Sequence, residues 1–105
     1  MVHHIENDQI ISEVLKNEKL VIIDFFATWC GPCQMIAPVL IELDKKYADE
    51  IEIYKVNVDE NQDSAIRYGV SSVPTLIFFK NGEEIERQVG FMDEEELSKI
   101  IEEIK

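Results

Sequence analysis

Between Leu20 and Ala27 the chain reads Leu-Val-Ile-Ile-Asp-Phe-Phe-Ala, a run in which Asp24 is the one polar residue. A strand so continuously apolar, and so rich in Val, Ile and Phe, has no face to give to water. It predicts a central strand covered on both sides, hence a layered α/β domain. Asp24 is the anomaly in that strand. Inside it a carboxylate would be desolvated and its pKa raised toward neutral; a solvated Asp at a strand end is the alternative reading.

The remaining segments follow with short connections. Asn7 or Asp8 can cap a helix whose buried face is Ile10, Ile11, Val14 and Leu15. After residue 30, Met35, Ile36, Val39, Leu40 and Leu43 recur at helical spacing, with Pro38 inside, where a kink is expected. Ile51 to Val58 alternates as a strand, and Asn61 to Tyr68 reads as a short helix ended by Gly69. Thr75 to Lys80 and Glu83 to Val89 flank Asn81-Gly82, a strong hairpin signal. Asp93 and Glu96 have capping-box spacing ahead of the stripe Leu97, Ile100, Ile101, Ile104. The order is (β)αβαβαββα. Strands separated by helices are expected to pair in parallel and the hairpin antiparallel, giving a mixed central sheet flanked by about four helices.

With 105 residues the chain is expected to form one domain, residues 1–105, able to bury roughly two-thirds of its surface. It has 22 Asp and Glu against 10 Lys and Arg, a net charge of −12. Nucleic-acid binding needs clustered cations, which the sequence lacks, and the same charge discourages contact with anionic membranes. Met1 to Asp8 is polar, without the apolar core of a signal peptide, so a cytoplasmic location is expected. Nothing points to an oligomer, and a monomer is expected.

Both cysteines lie in Trp29-Cys30-Gly31-Pro32-Cys33, directly after the apolar strand and at the start of the next helix. Zinc would need two further ligands; His3 and His4 are adjacent and would point to opposite faces of a strand. A structural staple is a poor reading too, because so short a loop gives roughly 2 kcal/mol. A redox pair remains, with no metal. Cys30 at the helix start faces unpaired N–H groups and the positive end of the helix dipole, which favour its thiolate. Cys33, one turn on, is the resolving thiol, and Asp24 is the candidate proton acceptor for it. Gly31 permits close approach of a substrate and Pro32 suits a first turn. Lys55 could lie beside Asp24 or be a snorkelling surface lysine.

The motif resembles the thioredoxin active site, and the likeness runs through nearly the whole chain. Asp24-Phe25, Pro38, Lys55-Val56-Asn57-Val58-Asp59, Tyr68-Gly69-Val70, Val73-Pro74-Thr75, Phe79-Lys80-Asn81-Gly82 and Val89-Gly90 follow the family's pattern in order. The resemblance implies the thioredoxin fold and a general protein-disulfide reductant, with no bound cofactor. Electrons would come from NADPH through a thioredoxin reductase, and the partners would be that reductase and disulfide-containing proteins. It implies that Pro74 is cis, where the residues alone would favour trans. It also implies that Trp29, Gly31, Pro32, Val73, Pro74 and Gly90 form a docking patch around Cys30. Three positions depart from the family pattern: Gln34 where Lys or Arg is common, Phe26 for a Trp, and Phe91 for a small residue, which would either join the core or enlarge the patch.

Overall fold

The computed structural model describes residues 2–10, 14 and 16–105. Its elements run β1 (Val2–His4), α1 (Asn7–Gln9), β2 (Leu20–Phe26), α2 (Gly31–Lys46), β3 (Ile51–Asn57), α3 (Gln62–Arg67), β4 (Thr75–Lys80), β5 (Glu83–Val89) and α4 (Glu94–Ile104). Five strands form one mixed sheet in the order β1-β3-β2-β4-β5. The apolar run takes the central place expected of it, with all of β2 buried except the half-buried Phe26.

Alternation along β2 sorts its side chains between two cores. Leu20 and Ile22 pack with Ile36, Leu40 and Leu43 of α2 and with Leu97 and Ile101 of α4. Val21, Ile23 and Phe25 pack on the other side with Ile10, Val14, Val56, Ile77 and Phe79. Asp24 has the parity of Ile22 and so lies on the face that α2 covers. α2 runs unbroken past Pro38, and α4 begins with the expected box, Asp93 Oδ1 accepting from Glu96 N–H at 2.8 Å. Asn81 and Gly82 both take positive φ, 52° and 82°, as a two-residue hairpin turn with the strand twist requires.

Pairing differs from the expectation at β4. β1–β3 and β3–β2 are parallel, but β3 and β4 do not pair, and β4 runs antiparallel to β2 with Asp24 opposite Leu76. Helix length accounts for the contrast. The 16 residues of α2 rise about 24 Å and carry the chain back along the sheet, whereas the 6 of α3 rise about 9 Å against about 23 Å for a seven-residue strand. The chain therefore starts β4 at the end where β3 stopped.

The first helix is also capped differently from either expected residue. Glu6 is the N-cap, its N–H donating to Gln9 Oε1 at 2.8 Å. Asn7 is drawn into tertiary contacts instead: its N–H donates to Asn61 Oδ1 at 2.8 Å, and its own Oδ1 accepts from Ser64 N–H at 3.1 Å and from the Ser64 hydroxyl. Ile10 and Val14 are buried as expected, while Ile11 and Leu15 lie outside the described residues. Among the described residues, three helices of six residues or more flank the sheet, against about four expected; α1 is described over Asn7–Gln9.

Candidate active site

The end of β2 and the start of α2 place the cysteines. Cys30 is the N-cap of α2, with extended φ and ψ of −92° and 115°, and its Sγ accepts the Cys33 N–H at 3.1 Å. A sulfur there takes one of the free N–H groups of the first turn and sits at the positive end of the helix dipole. Both interactions favour negative charge on Cys30. Cys33, one turn later, is disulfide-bonded to Cys30 across a Cα–Cα distance of 5.2 Å. Both residues are buried, at 4% and 3% exposure.

Facing Cys30 is the segment that leads into β4. The Val73 carbonyl oxygen lies 3.6 Å from Cys30 Sγ, and the Val73–Pro74 peptide is cis, as the resemblance implied and as the residues alone did not. Antiparallel β4 begins at the end of the sheet where β2 stops, so these two loops meet there. Pro74 is buried and its carbonyl accepts the Gly90 N–H at 2.8 Å, which ties in the loop after β5.

Asp24 is fully buried, and neither carboxylate oxygen takes a hydrogen bond from the described residues. Burial pushes its pKa up to about 7, against the opposing pull of Lys55. Lys55 is its register partner on β3, with Nζ 4.0 Å from Asp24 Oδ2. Lys55 thus lies beside Asp24, the first of its two readings; its side chain is 14% exposed, and Nζ stands 4.6 Å from the centroid of the Phe26 ring. Phe26, Thr28, Cys33, Gln34 and Lys55 line a pocket of about 250 Å³ that reaches Cys33 from the side of α2. Gln34 supplies no charge; its Nε2 donates to the Thr28 carbonyl at 3.1 Å.

The residues expected to form the docking patch are exposed to different degrees. Trp29 is 70% exposed, Phe91 is 43% exposed, Gly31 and Pro32 are exposed, and Val73 and Gly90 are half-buried. Trp29 is held by its indole N–H, which donates to Asp59 Oδ2 at 2.8 Å. Among the described residues, no three His, Cys, Asp or Glu side chains converge as a metal site would need.

A family model described as Thioredoxin matches residues 1–103. The chain belongs to the thioredoxin family. It is 52% identical over 85 residues to a thioredoxin of Bacillus subtilis (strain 168), covering 81% of this chain and 82% of the relative. It is 47% identical over 89 residues to the chloroplastic thioredoxin M-type of Pisum sativum, and 44% identical over 104 residues to thioredoxin-T of Drosophila melanogaster. Those alignments cover 85% and 97% of this chain, and 52% and 66% of the respective relatives. The fold is the thioredoxin fold and the protein is a thiol–disulfide oxidoreductase. No helix among the described residues is long and apolar enough to cross a membrane.

The residues alone did not show two features of this thioredoxin site. One is Asp59 as the partner of the Trp29 indole, a pairing across distant segments that no local spacing announces. The other is the network of Asn7, Asn61 and Ser64, whose only sequence signal was three polar residues beside helix starts.

Proposed function

We propose that this thioredoxin-family protein is a general reductant of disulfides in other proteins, with Cys30 as nucleophile and Cys33 as resolving thiol. The Cys30 thiolate attacks one sulfur of the substrate disulfide; that S–S bond breaks, a mixed disulfide forms, and the released substrate thiolate takes a proton. Cys33 then loses its proton to Asp24 and attacks Cys30 Sγ. The mixed disulfide breaks, the Cys30–Cys33 disulfide forms, and the second substrate sulfur leaves as a thiolate that takes up the proton held by Asp24. Two electrons have passed from the cysteine pair to the substrate, leaving the oxidised pair that the structure holds.

The observation that carries this reading is the 3.1 Å contact of Cys30 Sγ with the Cys33 N–H at the start of α2. It distinguishes the two sulfurs, because one caps a helix and the other lies within its first turn. Asp24 suits the proton role because a carboxyl group titrating near 7 can both accept and return a proton at neutral pH. Lys55 limits how far that pKa rises. Trp29, Gly31, Pro32, Val73, Pro74, Gly90 and Phe91 form the docking patch, and the Val73 backbone pairs with an extended substrate segment.

The pair is returned to the dithiol by a thioredoxin reductase drawing on NADPH, and the protein works as a cytoplasmic monomer carrying electrons between proteins. Variants at the two sulfurs test the reading. Cys30→Ser should lose all reduction of a protein disulfide, whereas Cys33→Ser should stop at a covalent mixed disulfide visible by mass. Activity retained in Cys30→Ser, or no adduct with Cys33→Ser, would overturn the assignment.

A further inference from the structure

Gly69 ends α3 with a φ of 67°. Its N–H donates to the Ile66 carbonyl at 3.1 Å and the Val70 N–H to the Ala65 carbonyl at 2.8 Å, the paired bonds of a Schellman motif. That closure leaves the Tyr68 and Gly69 carbonyls to find donors elsewhere, and one side chain serves both. Arg87 of β5 donates from Nη2 to the Tyr68 carbonyl at 2.7 Å and from Nη1 to the Gly69 carbonyl at 3.3 Å. Glu84 holds the same guanidinium bidentately, accepting from Nε at 2.9 Å and from Nη2 at 2.7 Å, which fixes its plane.

An irregularity in β5 makes that pair possible. Residues three apart in a regular strand point to opposite faces. Here the ladder pairs Phe78 with Glu86 but Phe79 with Glu84, so Ile85 is an extra residue and the strand carries a bulge. Glu84 lies opposite Phe79 and Arg87 opposite Ile77, and both of those core residues belong to the face on which Tyr68 packs. The bulge thus turns both charged side chains toward the end of α3.

The chain from Gly69 to the start of β4 is neither helix nor strand. It is tied to β5 at both ends, by Arg87 at its start and by the Gly90 N–H, which donates to the Pro74 carbonyl at 2.8 Å. Within it, the Thr75 hydroxyl donates to the Ser72 carbonyl at 2.6 Å. Val73, whose carbonyl stands 3.6 Å from Cys30 Sγ, lies between these ties.

We propose that Arg87, held by Glu84 across the bulge, is a positioning residue that fixes the Val73 backbone where it pairs with an extended substrate segment. The inference rests on the reductant reading and deepens it, since Arg87 acts through that backbone and not on the reacting sulfurs. Without the clamp, the segment gains freedom that each substrate must remove on binding. The loss therefore falls on KM and leaves kcat in place.

The test follows two disulfides reduced by the dithiol protein. One is a peptide disulfide long enough to lie along Val73; the other is hydroxyethyl disulfide, which can meet Cys30 without that backbone. Re-ordering about one residue's worth of chain should raise the peptide KM about tenfold in Arg87→Met, with kcat and the rate on the small disulfide unchanged. Glu84→Gln, at an exposed position, should raise it by about threefold and carries the test should Arg87→Met not fold. Arg87→Lys should stay within about threefold of Arg87→Met, because an ammonium cannot reproduce the planar fork. An unmoved peptide KM in these variants, or an equal fall on both disulfides, would overturn the positioning role alone. So would full rescue by Arg87→Lys, which would leave only a positive charge at the end of a helix. A parent that reduces neither disulfide would remove the proposed function and this inference with it.

Discussion

Lys55 Nζ stands 4.0 Å from Asp24 Oδ2, across two parallel strands in which the residues are register partners. The lysine lowers the pKa of a carboxyl group that burial raises, and burial wins. Replacing the lysine with Lys55→Met leaves only the burial. The Asp24 titration in the oxidised protein, followed by carboxyl-carbon NMR, should then move above its value of about 7, by about 1 pH unit. A midpoint that stays or falls would show that Lys55 exerts no pull on Asp24.

The same raised pKa makes Asp24 a cost to stability at neutral pH. The folded state holds the proton more tightly than the unfolded chain. The contribution of Asp24 is thus full below about 3.8, falls as pH rises, and is lost above about 7. Asp24→Asn should match the parent in denaturant unfolding at pH 3. At pH 8 it should be more stable by on the order of 4 kcal/mol, at about 1.4 kcal/mol per pH unit of the displaced window. Equal stabilities at pH 8 would mean that Asp24 ionises in the fold without penalty. The variant should also slow the proposed step in which Cys33 resolves the mixed disulfide.

Asn7 joins the first helix to α3 through Asn61 and Ser64. Asn7→Ala removes an acceptor used by both the N–H and the hydroxyl of the buried Ser64. Urea unfolding should show a loss of about 1–3 kcal/mol, the penalty for buried donors left without partners. A change below about 0.5 kcal/mol would mean that these contacts add nothing net.

The direction of electron flow is fixed by the reduction potential of the Cys30–Cys33 pair. Trp29, the sole tryptophan, adjoins the disulfide, and its fluorescence should follow equilibration with glutathione or dithiothreitol buffers. The reference value for thioredoxin itself is about −270 mV, and a result close to it supports a reductant. A value of roughly −180 to −120 mV would make the protein an isomerase or oxidant.

Much of this architecture could be read from the residues, because periodicity is a local signal. The apolar run fixed β2 as the centre of the sheet, Asn81-Gly82 located the hairpin, and Asp93 with Glu96 located the start of α4. Asp24 stood out as a carboxyl group in an apolar strand, but the strand alone left a solvated strand end as good a reading; its full burial decides between them. Chain direction was not legible at β4, where the rule that helices separate parallel strands failed because α3 is too short to cross the sheet. The cap of the first helix was misplaced because Asn7 finds its partners more than fifty residues away. Pro74 was cis by resemblance only, since nothing local separates it from the trans majority.

The short α3 has a further consequence for chemistry. Because it does not carry the chain back, β2 ends and β4 begins at one edge of the sheet, and Cys30 comes within 3.6 Å of the Val73 carbonyl. Had α3 matched α2 in length, β4 would start at the opposite edge, about 20 Å away by the length of a strand. The proposed nucleophile and the segment proposed to hold its substrate would then never meet. In this family member, the place where reaction is possible is decided by how far one helix fails to travel.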